Sequence, residues 1–158
     1  MPFSRAFQHD VIDLILTIQQ VEFGFDIRAE DQPDLQAIED FYQTGAGGFW
    51  VALVEGRPVG TIGLRDIGER QGALRKMFVK PAYRGKEKAV AETLLQTLLE
   101  SARAGGIDEV FLGTTEKFVA AHRFYEKQGF DQVPADRLPP RFPRMALDTR
   151  FYKLALTP

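Results

Sequence analysis

The period of the apolar residues changes once, at Pro81, and that change constrains the fold more than any other feature. Before it, residues 49–54, 59–65 and 73–79 read as three strands, separated by the tight connection Glu55-Gly56-Arg57-Pro58 and a turn over residues 66–72. Strands joined this closely pair antiparallel. After it, Val90, Ala91, Leu94, Leu95, Leu98 and Ala102 form one helical stripe, with Glu92, Thr93, Gln96, Glu100 and Arg103 turned away. Gly105-Gly106 ends that helix, and residues 109–112 make a short apolar strand. Strand, helix and strand in this order form a crossover unit, which sets strands 73–79 and 109–112 parallel with a right-handed connection.

The flanks extend the same architecture. Val11, Leu14, Ile15, Ile18 and Val21 share one helical face, broken by Phe23-Gly24-Phe25 and followed by the acidic residues Glu22, Asp26, Glu30 and Asp31 around that break. Pro33 suits the first turn of a second helix, with Leu35, Ile38, Phe41 and Tyr42 as its apolar face. Beyond residue 112, residues 118–128 read as a helix ended by Gly129, residues 130–133 as a strand and residues 151–156 as a last strand. Pro134, Pro139, Pro140 and Pro143 mark the loop between those two strands. The expected fold class is α/β (α+β): a mixed, mostly antiparallel sheet with helices on both faces and one parallel crossover. A doubly wound sheet is excluded. Nothing divides the 158 residues, so residues 1–158 are expected to form a single domain.

Composition removes several classes of chemistry. There is no cysteine, hence no disulfide, no thiolate zinc site and no covalent cysteine intermediate, so group transfer would more simply be direct. Two histidines are too few for a histidine-rich metal site, and no metal is expected. The net charge of −2 argues against nucleic acid or an anionic membrane as partner. The apolar stretch 11–18 is interrupted by Asp13 and too short to span a bilayer, so the chain is expected to be cytoplasmic. Edge strands and an aromatic C-terminal segment are compatible with a homodimer.

The charge is uneven. Arg75, Lys76, Lys80, Arg84, Lys86 and Lys88 stand against the single acid Glu87, between the end of a strand and the start of the long helix. The first amides of a helix lack internal acceptors and carry partial positive charge, so a diphosphate fits there. Arg84 can brace it with a fork of donors. Taken alone, the run reads equally as an anion site or as a solvated basic helix start.

The run Val79-Lys-Pro-Ala-Tyr83-Arg84-Gly85-Lys86-Glu87-Lys88-Ala89 closely resembles the phosphate loop of the GNAT acetyltransferase superfamily, Gln/Arg-x-x-Gly-x-Gly/Ala after a strand ending Val-x-Pro-x-Tyr-Arg-Gly. Arg84 and Ala89 match the ends of the pattern, while Glu87 replaces its middle glycine. A second segment, Ala120-Ala-His-Arg-Phe-Tyr125-Glu-Lys-Gln-Gly-Phe130, is similar to that family's Ala-x-x-Phe/Leu-Tyr-x-Lys-x-Gly-Phe helix, with Phe118 in place of a frequent asparagine. The resemblance implies an N-acetyltransferase that moves an acetyl group from acetyl-CoA to a primary amine of a small molecule or peptide, by direct attack. A non-catalytic acyl-CoA sensor on the same fold is the alternative.

The resemblance also implies residue roles. Main chain at Met77, Phe78 and Val79 would hold pantetheine in a gap between the parallel strands, a Phe78 amide facing the thioester oxygen as charge develops on it. Arg84, Gly85, Lys86, Glu87, Lys88 and Ala89 would surround the diphosphate, with Phe118 beside the cofactor. Tyr125 is expected either to protonate the departing sulfur or to pack against pantetheine; a thiol titrates near ~8.5 and a phenol near ~10, so the proton can be shared. Family members often carry a glutamate base where this chain has Ala73, so Glu22 is the expected substitute, with Asp26 beside it. His122 reads as a packing residue or a base acting through water.

Overall fold

The computed structural model describes residues 1–85 and 89–156. Its helices are α1 (Gln8–Leu16), α2 (Ile38–Tyr42), α3 (Val90–Ala104) and α4 (Val119–Lys127). Its strands are β1 (Gly48–Val54), β2 (Arg57–Gly68), β3 (Gln71–Val79), β4 (Glu109–Thr114), β5 (Asp131–Val133) and β6 (Arg150–Ala155). The six form one sheet in the order β1-β2-β3-β4-β6-β5. The pair β3–β4 is parallel and the others are antiparallel, as the single crossover through α3 requires. The turn expected over residues 66–72 contracts to Glu69-Arg70, both with positive φ, so β2 and β3 run further than their apolar pattern suggests. Among the described residues, no helix is long and apolar enough to cross a membrane.

Each face of the sheet has its own core. On one face Leu94, Leu95, Leu98 and Leu99 of α3 pack with Ile62, Leu64 and Leu74 of the sheet, joined by Tyr125 of α4. On the other, Val11, Leu14 and Ile15 of α1 and Ile38 and Tyr42 of α2 cover Phe49 and Val51. Each such side chain contributes roughly 1.5–3 kcal/mol on burial. Past Leu16, α1 widens into a π-helical turn, Thr17–Glu22, whose last residue meets Arg84, beyond the end of β3.

The helix expected from Pro33 onward is broken. A 3₁₀ turn, Pro33–Gln36, is separated from α2 by Ala37 at φ −140°. The cause is polar. In a straight helix, residues eight apart lie about 12 Å apart along the axis. The break instead brings Asp34 Oδ2 within 2.6 Å of the Tyr42 hydroxyl, both side chains buried.

Two irregularities in β3 shape the middle of the sheet. Pairing with β4 runs from Gln71↔Glu109 to Leu74↔Leu112 and goes no further, so Arg75 to Val79 line a split between the parallel strands. At the same point β3 bulges against β2: Thr61 pairs with Phe78 and Gly63 with Arg75, leaving Lys76 and Met77 opposite Ile62 alone. Lys76 takes φ +53°, and its carbonyl accepts the Thr61 hydroxyl at 2.7 Å. A bulge resets the alternation of side chains along a strand.

Candidate active site

Two cavities open at the split. The larger, about 760 Å³, runs from Tyr83, Arg84, Gly85 and Ala89 to Phe118 and Tyr125. The smaller, about 120 Å³, lies toward Arg75, Lys76, Met145 and Asp148. Met77, Phe78, Phe118, Ala121 and Tyr125 line both. A ligand threaded through the larger cavity would therefore meet the contents of the smaller one beside the Tyr125 hydroxyl.

The expected cofactor residues Met77, Phe78, Val79, Arg84, Gly85, Ala89 and Phe118 all line the larger cavity. Lys86, Glu87 and Lys88 lie outside the described residues. Arg84 is held from both ends. Its Nε donates to the Val79 carbonyl at 2.8 Å, and its two Nη atoms donate to Glu22 Oε2 at 2.5 Å and Oε1 at 2.7 Å. Glu22, expected to deprotonate the acceptor, thus has both carboxylate oxygens on Arg84. It lines the larger cavity and not the smaller one. Asp26 is exposed and lines neither. Ala73, in the position of the family's glutamate, is fully buried opposite Phe111.

Phe118 is the centre of an aromatic cluster, with its ring 4.7 Å from Phe23, 5.6 Å from Phe25 and 6.3 Å from Phe78. The cluster fastens the end of the π-helical turn to the start of α4, over the split. In the sequence Phe23-Gly24-Phe25 signalled only a helix break. Tyr125 is 5% exposed, and its hydroxyl donates to Met77 Sδ at 3.5 Å, a soft partner. Burial lifts its phenol well above the ordinary range, so the hydroxyl keeps its proton through neutral and mildly alkaline pH. His122 is a packing residue: its Nε2 lies 2.9 Å from the Thr115 carbonyl and its Nδ1 3.3 Å from Arg150. A carbonyl only accepts and a guanidinium only donates, so in these two contacts Nε2 is the donor and Nδ1 the acceptor.

The wall of the smaller cavity is charged and was not legible in the sequence. Adjacent residues of a regular strand face opposite sides. The bulge lets Arg75 and Lys76 converge on Asp34 Oδ2, at 4.0 and 3.9 Å, with side chains 10% and 6% exposed. Lys76 also donates to Gln32 Oε1 at 2.6 Å, and Gln32 exchanges two hydrogen bonds with Gln19. Burial pulls the Lys76 ammonium down from its ordinary 10.5 to about 8, against the opposing pull of Asp34. Arg75 donates to the Pro143 carbonyl at 3.1 Å and thereby ties the proline loop over this cavity. Asp148 stands on the β4 side. Its Oδ2 accepts the Met145 amide at 3.0 Å and packs so close to Gly113 that a Cβ there would lie 2.6 Å from it. Burial raises the Asp148 carboxyl, opposed by the nearby Met145 amide, Arg75, Lys76 and Arg144.

A mixed sheet split at its one parallel pair, with an arginine loop and a helix start beside the split, is the arrangement of a cofactor-binding acyl-transfer fold. The chain belongs to the acetyltransferase (GNAT) family, whose profile matches residues 12–130. It is 39% identical over 102 residues to an N-acetylaspartate synthetase of Xenopus tropicalis, a match that covers 63% of this chain and 37% of that protein. The chain spans less than half the length of the N-acetylaspartate synthetases it matches. A crystal structure of an acetyltransferase of the GNAT family from Staphylococcus aureus Mu50 superposes with a TM-score of 0.95 at 37% identity, covering 99% of this chain and 98% of that one. The fold is also that of yncA from Salmonella typhimurium, solved with its cofactor acetyl-CoA, at a TM-score of 0.72 and 19% identity over 100% of this chain and 93% of that one.

Proposed function

We propose that this protein transfers the acetyl group of acetyl-CoA to a primary amine by direct attack. The observation that carries the reading is the meeting of the two cavities at Met77, Phe78 and Tyr125, in the gap where β3 has left β4. Family membership and the names of the relatives, which include N-acetylaspartate synthetases, support a small amine as acceptor.

When bound, acetyl-CoA supplies the acyl group as a thioester. In this reading the β3 edge from Met77 to Val79 takes the pantetheine arm where β4 offers no ladder. Arg84 and the amides at the start of α3 take the diphosphate, with Arg84 exchanging Glu22 for phosphate oxygens. Phe118 and its aromatic neighbours exclude water from the junction, where electrostatic interactions strengthen as the dielectric falls. The Tyr125 hydroxyl, protonated at neutral and mildly alkaline pH before the reaction, donates to the sulfur as charge develops there.

The test is a thermal-shift titration with acetyl-CoA and with CoA, followed by an amine panel scored for thiol release. A ligand at 100 times its Kd adds about 2.7 kcal/mol of stability. Binding without turnover of any amine would leave an acyl-CoA sensor instead, and no binding would remove both readings.

A further inference from the structure

The smaller cavity is electrostatically divided. On the β3 side, two buried cations share one carboxylate, Asp34, at about 4 Å. On the β4 side, a half-buried carboxylate, Asp148, packs on Gly113. Charges removed from water are costly unless compensated. The Asp34 carboxylate is further committed to the Tyr42 hydroxyl, so on this side Arg75 and Lys76 share one carboxylate; their other acceptors, the Pro143 carbonyl and Met145 Sδ for Arg75 and Gln32 Oε1 for Lys76, are neutral. A cavity of about 120 Å³, below the roughly 300–1,000 Å³ of drug-sized sites, selects a small occupant.

We infer that the acceptor is a small zwitterion, an amine that also carries a carboxylate, with its carboxylate on Lys76 and its ammonium on Asp148. The inference rests on the acetyl-transfer reading above and assigns the acceptor class and the base of that same site. A plain alkylamine would satisfy Asp148 and leave the two β3-side cations with Asp34 as their shared carboxylate; a zwitterion brings a second carboxylate to that wall as well. The raised carboxyl of Asp148 suits a group that takes a proton from an ammonium. The proton account closes. One ammonium proton passes to Asp148 and then to water. The nitrogen lone pair forms the C–N bond as the C–S pair leaves with sulfur. The second proton, lost from nitrogen as the amide forms, restores the one Tyr125 gives to sulfur. One proton is released per turnover.

The experiment compares matched pairs, each an L-amino acid and its carboxamide, as acceptors for wild-type protein saturated with acetyl-CoA. Loss of a charge-assisted contact predicts that the acid exceeds its carboxamide by about 10- to 100-fold in kcat/KM. Lys76→Gln should collapse that ratio to within about threefold, and Asp148→Asn should lower kcat/KM for every acceptor at least tenfold. Competition by a small monocarboxylate lacking an amine reads the Lys76 wall with no variant at all, and its absence would count against that wall as the carboxylate site. Carboxamides that match or beat the acids, a ratio that Lys76→Gln leaves intact, or no thiol release from any acid would each overturn the inference. Calorimetric titration with acetyl-CoA and a panel of simple amines run alongside separate the two levels. Binding plus turnover of carboxylate-free amines alone sinks only the acceptor class, whereas absent binding sinks the transfer reading too.

Discussion

Replacing Lys76 by methionine should make the ligand-free protein more stable at neutral pH. The side chain is 6% exposed, and burial, the largest influence, holds its ammonium at about 8 instead of 10.5. A lysine depressed in this way binds fewer protons folded than unfolded between those two values. Stability therefore rises with pH through that window, and below it the full cost of burying the charge is present. At 1.36 kcal/mol per pH unit, moving from 10.5 to about 8 amounts to about 3 kcal/mol. The groups facing the ammonium are Gln32, Asp34, Arg75 and Asp148. Methionine gives up the bond to Gln32, about 1 kcal/mol, although Gln32 Oε1 still accepts from Gln19 at 3.0 Å. Asp34 keeps Tyr42 and Arg75. The net expectation is a gain of about 1–2 kcal/mol at pH 7, read by urea denaturation of both proteins. Near pH 10.5 the wild-type lysine is neutral in the folded state, so the gain should vanish or reverse. A variant less stable at pH 7, or a difference that does not shrink with pH, would refute the idea of an under-compensated buried cation.

Tyr125→Phe should lower kcat about 10²-fold or more while acetyl-CoA affinity barely moves, and wild-type kcat should show no falling limb from this phenol up to pH 10, because burial raises it. Steady-state kinetics with a parallel binding titration checks both. Glu22→Gln should tighten CoA binding about two- to fivefold by calorimetry, since an anion no longer displaces a carboxylate from Arg84; the pair is 38% and 30% exposed, which keeps the effect within about 1 kcal/mol. Gly113→Ala should push Asp148 out of place and lower kcat/KM for amines at least tenfold, with acetyl-CoA affinity intact and about 1–3 kcal/mol of stability lost to overpacking in denaturant titrations.

Local features of the chain carried the architecture. The change of apolar period at Pro81 and the glycine pair 105–106 bracket α3, and the strand–helix–strand order it creates is the crossover of the parallel β3–β4 pair. The Phe-Tyr helix was readable for the same reason: it is a contiguous motif set by neighbours in sequence. The split, the bulge and the charged cavity were not. Lys76 bears no mark that it will take a positive φ, and regular alternation would have sent it away from Arg75. Asp34 and Tyr42 looked like two positions on one helix until their hydrogen bond accompanied its break. Glu22 sat in an acidic segment that carried no sign of Arg84, 62 residues away. Periodicity and turn chemistry act over a few residues, so the sequence alone determines which elements form and in what order. Where buried charges settle depends on which distant partners can offset their lost hydration, and only the packed tertiary structure decides that.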